Sequence, residues 1–354
     1  MGLTWPEVLS RLSGRASLHE SEAEEIMGVV FRGEATPAQV GAFLTLLHAK
    51  GETADEVTGL ARAMVAAAVP CPLGVEDVVV DLVGTGGDRL ASINVTTLAS
   101  FITAGAGVPV CKHGNRAASS SVGTADVLEA LGVALDVGPE GVARCVAEAG
   151  MGFCFAQAFH PAMRFVGPVR AEIGVPTVFN FLGPLTNPSR TRYQLVGVSD
   201  PAMAPIMADV FGATGSRRTF IVRGDDGLDE LSVTSPSSVL EVRGDGAGAY
   251  ELDEWRVDPV ALGLAPATLD DLRGGDAAFN ASAIRSVLEG EHGARRDIGV
   301  LNAAAALMVA GRARDLEGGL VLAVESIESG KALAVLDALV TTSRAAAAQR
   351  PPKG

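Results

Sequence analysis

Apolar residues in the first seventy positions recur at steps of three and four, as in Val40, Phe43, Leu44 and Leu47, the spacing of one buried helix face. Three helix starts precede such patterns: Ser21 with Glu24, Thr36 with Gln39 after Pro37, and Thr53 with Glu56. In each, the first side chain and the carboxylate or amide three residues on can satisfy free N–H groups of the first turn. A helical unit is predicted, closed by the breaker Pro70-Cys71-Pro72-Leu73-Gly74. From Val78 the pattern changes to short apolar runs. Residues 78–83, interrupted only by Asp81, read as a strand covered on both faces. Further strands are expected at 108–111, 152–155, 193–198, 219–223 and 239–242, with helical segments between most of them. That alternation predicts βαβ units and a mostly parallel sheet. The strand at 239–242 follows too short a connection for a helix and is expected to be antiparallel. From about Asn280 the chain returns to amphipathic helices, AIRSVLEG, LNAAAALMVAG and KALAVLDALV, which should cover the sheet. The fold class is therefore α/β: a small all-helical domain plus a larger α/β domain with a mostly parallel central sheet.

Composition narrows the function. With 48% hydrophobic and 20% charged residues the chain is globular, and a net charge of −14 disfavours a protein that holds a nucleic-acid backbone. The first residues form no signal-peptide pattern and no apolar run reaches about eighteen residues, so a cytoplasmic protein without membrane contact is expected. Cys71, Cys111, Cys145 and Cys154 lack paired spacing and read as buried free thiols.

Three turns carry polar chemistry. Gly84, Gly86 and Gly87 follow the first strand, and Asn94-Val95-Thr96-Thr97 then opens a helix. Residues without Cβ let backbone N–H groups converge on an anion delivered to a helix start. On spacing alone this is equally a loop with glycines at strained turns; it is neither a dinucleotide fingerprint nor a Walker loop. A second turn, KHGNRAASS at 112–120, concentrates Lys112, His113, Asn115, Arg116, Ser119 and Ser120 before a helix opened by Thr124 and Asp126. Its cations and hydroxyls suit phosphate oxygens, or else cap that helix in water. The third, GDDGLDE at 224–230, places adjacent carboxylates after a strand, which suits Mg²⁺ completed by substrate phosphates or a solvated acidic turn. His160 and Arg170 are open to capping and surface roles. No nucleophile with an evident base, His cluster or glycosidase-like carboxylate pair is visible, which leaves catalysis by positioning and electrostatics.

GTGGD, Asn-Val-Thr-Thr, KHGNRAASS with GTADVLEALG, HPAM with PVR, NFLGPLTNP and GDDGLDE, in that order across nearly the whole chain, resemble the anthranilate phosphoribosyltransferase family. The resemblance implies a nucleoside phosphorylase/phosphoribosyltransferase-like fold, with a helical domain of residues 1–70 joined by helices near 164–187, and an α/β domain of residues 75–163 and 188–350. It implies transfer of a phosphoribosyl group from phosphoribosyl diphosphate to anthranilate, two Mg²⁺ per active site, and a homodimer formed through the helical domain. Gly84, Gly87, Asp88, Ser92, Asn94, Thr97, Lys112 and Ser119 would hold the donor, with Thr124 nearby. Val95, Gly114, Arg116, Ala117, Ala118 and Ser120 lie along the same substrate-binding stretches. Thr96, Asp229 and Glu230 match the metal positions, and Asn115, Arg170, His113 and Gly183 the path of anthranilate. The chain departs from the family's usual residues at Arg89, Ser92-Ile93, Thr96 and Gln157, the last beside the amine path. A pyrimidine nucleoside phosphorylase would carry Lys-His-Ser-Thr-Gly-Gly in the lysine turn, which is absent. A nucleic-acid-binding relative fits poorly with the acidic balance and the intact acidic turn.

Overall fold

The computed structural model describes residues 3–75, 78–88, 90–116 and 122–350. Four helices, α1 (Trp5–Ser13), α2 (Glu20–Phe31), α3 (Pro37–Lys50) and α4 (Ala54–Ala66), come first. Thr36 and Thr53 cap α3 and α4 by accepting hydrogen bonds from the Gln39 and Glu56 backbone N–H groups. The start of α2 differs from the predicted Ser21 and Glu24. Its cap is His19, whose N–H donates to Glu22 at 2.8 Å, while the other Glu22 oxygen holds Arg11 at 2.6 Å. α1 had no predicted start; Thr4 and Glu7 form its capping box.

The strands β1 (Val80–Gly84), β2 (Val110–Gly114), β3 (Met151–Phe155), β4 (Tyr193–Gly197), β5 (Arg218–Gly224), β6 (Ser237–Gly244) and β7 (Tyr250–Val257) form one sheet in the order β3-β2-β1-β4-β5-β6-β7. The first five are parallel, and β6 and β7 are antiparallel. Between them run α5 (Val95–Gly105), α6 (Thr124–Ala130), α7 (Gly138–Ala149), α8 (Ala156–Phe159), α9 (Gly167–Ile173), α10 (Phe179–Leu182) and α11 (Met203–Ala213), and α12 (Ala277–Leu288), α13 (Ala294–Val309), α14 (Leu316–Glu328) and α15 (Lys331–Ala348) follow.

Alternate residues of the central strands enter different cores, as a period of two requires. Leu82, Leu195 and Phe220 pack with α5 and α13, whereas Val83, Val196 and Ile221 face α11 and the helical domain. Val166, Val169, Phe179 and Leu182 belong to that second core, so the segment around α9 and α10 is packed on the helical bundle. The four cysteines are buried free thiols.

Two strands depart from the sequence pattern. β2 runs to Gly114, so Lys112 and His113 belong to the strand instead of the turn after it. Burial of such polar residues is tolerated because distant groups satisfy them: Lys112 reaches the Leu82 carbonyl, and the His113 N–H donates to Asp81 at 3.0 Å. β7 is also absent from the predicted elements; its charged, exposed face hides the strand pattern.

Candidate active site

The carboxyl ends of parallel strands are where an open α/β sheet leaves a crevice, and the crevice is widest where strand order reverses. Here the reversal lies between β1 and β4. Asp229 is seated there. A Cβ on Gly84, the last residue of β1, would collide with its carboxylate, and one on Gly197, the last of β4, with its carbonyl. Both glycines are required by this close approach. The Gly86 N–H, on backbone with positive φ, donates to Asp229 Oδ2 at 2.7 Å, so the glycine turn and the acidic turn touch directly.

The acidic turn sorts its four carboxylates. Asp225 pairs with Arg256 on the surface. Asp226 folds back on its own loop, accepting from the Ser232 hydroxyl at 2.6 Å and the Leu228 N–H at 3.1 Å. Asp229 and Glu230 turn inward, 9% and 7% exposed. Asn302, buried on α13, accepts from the Leu231 N–H at 3.0 Å and donates to its carbonyl at 2.9 Å, which fixes the turn immediately after the inward pair.

Lys112 completes the cluster. It is 1% exposed, and Nζ donates to the Thr96 hydroxyl at 2.9 Å as well as to the Leu82 carbonyl. Burial lowers its pKa, opposed by the charges of Asp81, Glu230 and Asp229. Burial, then the neighbouring charge of Asp88, pushes the Asp229 carboxyl up to about 6. Glu230 is pushed well above the usual range by burial and by Asp229, and its Oε2 is buried without a partner. Thr96 and the two carboxylates thus offer hard oxygen donors, and the orphaned oxygen is one a cation would satisfy. Among the described residues no three His, Cys, Asp or Glu side chains form a complete ligand set. Mg²⁺ fits such a partial set because it keeps waters and substrate phosphates as its remaining ligands.

Behind this cluster Asp81 also accepts from Asn187 Nδ2 at 2.8 Å, and Asn187 donates to the Cys111 carbonyl at 2.9 Å. Burial raises the Asp81 carboxyl to about 6. His113 Nδ1 donates to the Gly183 carbonyl at 3.1 Å. Its ring lies 5.1 Å from that of His160, centre to centre, and burial holds His113 near a pKa of about 3 and His160 near about 4.

These histidines are neutral in the fold but take a proton near 6.5 when unfolded. Their stabilising share is complete above that pH and is lost as pH falls from about 6.5 toward about 3 to 4. Asp81, with its raised value, works in the opposite sense, so a comparison with a variant isolates the imidazole share. His160→Asn is expected to flatten the fall of melting temperature between about pH 6.5 and about pH 4. A slope as steep as the parent's would remove this account.

Other predicted residues fall around the cluster. Asp88 contributes charge to it, and Asp88 Oδ1 accepts from the Leu90 N–H at 3.2 Å. Ser92 bridges to Arg273, Asn94 Oδ1 accepts from Asn280 at 3.0 Å, Val95 starts α5, and the Thr97 hydroxyl is buried without a partner. Gly87 adjoins Ser199, and Gly114 abuts Thr124. Asn115 accepts from the Arg116 N–H, and the Arg116 guanidinium is turned to Asp126 and Glu129 at 2.7 and 2.5 Å. Arg170 sits apart, 5.4 Å from the Phe179 ring and donating to Asn180 at 3.3 Å. Gln157 is exposed on α8. Arg89, Ala117, Ala118, Ser119 and Ser120 lie outside the described residues. Asn187 belongs to the NFLGPLTNP motif, whereas Gly197, Asn280 and Asn302 carry no signal in the sequence. The asparagines act on partners 71 to 186 residues away, which no local pattern displays.

The a/b domain of a glycosyl transferase family matches residues 76–333, and the helical bundle domain of that family matches residues 6–68. An anthranilate phosphoribosyltransferase of Roseiflexus castenholzii is 51% identical over 92% of this chain and 94% of its own length. That of Thermomicrobium roseum is 48% identical over 98% and 99%. The crystal structure of the Thermus thermophilus anthranilate phosphoribosyltransferase superposes with a TM-score of 0.87 at 41% identity, covering 95% of this chain and 99% of that one. The Saccharomyces cerevisiae enzyme in complex with PRPP and Mg superposes with a TM-score of 0.86 at 26% identity, covering 96% and 98%.

Proposed function

The chain belongs to the anthranilate phosphoribosyltransferase family, and from that premise we propose how its own residues carry out the reaction. It transfers the phosphoribosyl group from 5-phosphoribosyl 1-diphosphate to anthranilate, giving N-(5-phosphoribosyl)anthranilate and diphosphate in tryptophan biosynthesis. The observation that carries the assignment of the site is Asp229 wedged between Gly84 and Gly197 and bonded to the Gly86 N–H, with Glu230 and the Lys112–Thr96 pair beside it.

In our reading the glycine turn at 84–88, with Ser92, Asn94 and Thr97 around the start of α5 and with Ser119 and Thr124, cradles the phosphates through N–H groups and hydroxyls. Asp229, Glu230 and Thr96 would hold Mg²⁺, with two ions per site. When bound, Mg²⁺ supplies positive charge against the departing diphosphate. Lys112 keeps the Thr96 hydroxyl aimed and moderates the charge of the buried carboxylates. As the C1–oxygen bond breaks, positive charge grows on the ribose and negative charge on diphosphate; the amine nitrogen then bonds to C1 and releases its proton. His113, Asn115, Gly183 and Arg170 line the amine's approach, so the chain's contribution is orientation and exclusion of water. Arg170 lies on the segment packed against the helical bundle and the metal ligands on the α/β domain, and closure of one domain on the other would bring the two substrates together.

The direct test is loss of anthranilate fluorescence with phosphoribosyl diphosphate and Mg²⁺. Turnover is expected; none across a wide range of both substrates would overturn the reading. Arg170→Ala is expected to raise the KM for anthranilate by about tenfold, since a charge-assisted contact to its carboxylate is lost, and to change the donor KM little. Equal shifts in both would place Arg170 off the amine's path. We also read the protein as a cytoplasmic homodimer paired through its helical domain. Four free cysteines suit a reducing compartment, and sedimentation at twice the chain mass would support the pairing.

A further inference from the structure

A cavity of about 440 Å³ opens at the opposite end of the strands, near the amino ends of β4 and β5, between the helical domain and the α/β domain. Val65, Leu185 and Phe211 make its apolar wall, and Arg62, Arg190 and Arg192 stand around it. Arg62 is engaged by Glu20. Arg190 and Arg192 have no carboxylate within ion-pair distance among the described residues, although the chain as a whole carries a charge of −14. A fourth guanidinium, Arg217, lies with that of Arg192 against Gly246. The Thr191 hydroxyl, also on the cavity, is buried without a partner. Glu24 is the carboxylate on the wall, so positive charge prevails there.

We propose that this cavity is a second ligand site, taking a small organic anion whose carboxylate or phosphate meets Arg190 and Arg192 while its apolar body lies on Leu185 and Phe211. Unpaired guanidinium forks match either head group, and the volume is that of an ordinary small-molecule site. Its walls belong to both domains, so an occupant favours the interdomain arrangement it fits best. A physical connection to the transfer site also exists. Asn187 lines the cavity and donates to Asp81, which in turn holds His113. Gln194 lines it and donates to the Pro184 carbonyl at 3.4 Å, next to Gly183, the partner of His113. Occupancy is therefore felt at the approach of the amine.

The test uses the whole chain, titrated calorimetrically with 3-phenylpropionate and with phenyl phosphate, and the Arg190→Ala/Arg192→Ala double variant, whose turnover without probe should be unchanged. The wild type is expected to bind at least one probe, with affinity falling about tenfold or more in the variant. Which probe binds identifies the head group. The bound probe should also shift the anthranilate KM of the wild type and not of the variant. Absence of binding to the wild type at millimolar concentrations, or equal binding to both proteins, overturns the site. Binding lost in the variant without any shift in KM overturns its connection to the reaction. Both outcomes are independent of whether Asp229 and Glu230 hold the metal.

Discussion

Asp229→Asn combined with Glu230→Gln should lower turnover by roughly a thousandfold, the scale of losing a principal electrostatic contact to a developing anion. The same double variant should melt at the parent's temperature or above it when no ligand is present. Burial pushes both carboxyls up, so each charge is held in the fold against its preference. The amide side chains keep the shape, and the amide oxygen introduced in place of the Asp229 carboxylate can still accept from the Gly86 N–H. Neutral amides of the same volume relieve the repulsion between the two buried carboxylates, and Asp81 still faces Lys112. Activity and stability thus move apart, which a purely structural role for the two residues does not produce. Unchanged kinetics, with the same Mg²⁺ requirement, would remove the metal assignment.

The second large effect is expected from two glycines that differ only in what a methyl group would strike. At Gly197 the obstacle is the Asp229 carbonyl, part of a main chain that Asn302 clamps two residues later. Gly197→Ala must displace the acidic turn itself and is expected to cost about 3 kcal/mol of stability as well as activity. At Gly84 the obstacle is the end of the Asp229 side chain, which can rotate. Gly84→Ala is expected to cost less than about 1.5 kcal/mol while turnover still falls about a hundredfold, because the carboxylate leaves its place. Denaturant unfolding and steady-state rates on both variants decide this. Equal stability losses would mean that the backbone at Asp229 is free to shift.

Features set by neighbours in the chain were readable from the sequence, and those set by distant partners were not. Thr36 with Gln39 and Thr53 with Glu56 marked two helices because a cap is a contact within one turn. The strand-glycine-helix order around Gly84 and the antiparallel return of β6 followed from local spacing in the same way. The sequence pattern starts α2 two residues late because the cap position falls on His19, an uncommon cap whose N–H donates to Glu22. Lys112 and His113 looked like turn residues because isolated polar side chains avoid buried strands; Leu82, Thr96 and Asp81 accommodate them from 16 to 32 positions away. In GDDGLDE four acids were indistinguishable as letters. The fold separates them by giving Asp225 an arginine and Asp226 its own loop, and by leaving Asp229 and Glu230 to face the crevice.

Our proposal has the glycine turn and the acidic turn grip one donor molecule from opposite sides. It is tested most directly by crystals grown with phosphoribosyl diphosphate and Mn²⁺ in place of Mg²⁺, with the metal located by its anomalous scattering. A peak is expected in contact with Asp229 or Glu230 and the Thr96 hydroxyl, with donor phosphate oxygens on the N–H groups of residues 84–88. A donor and metal bound elsewhere, with both carboxylates left without them, would contradict it.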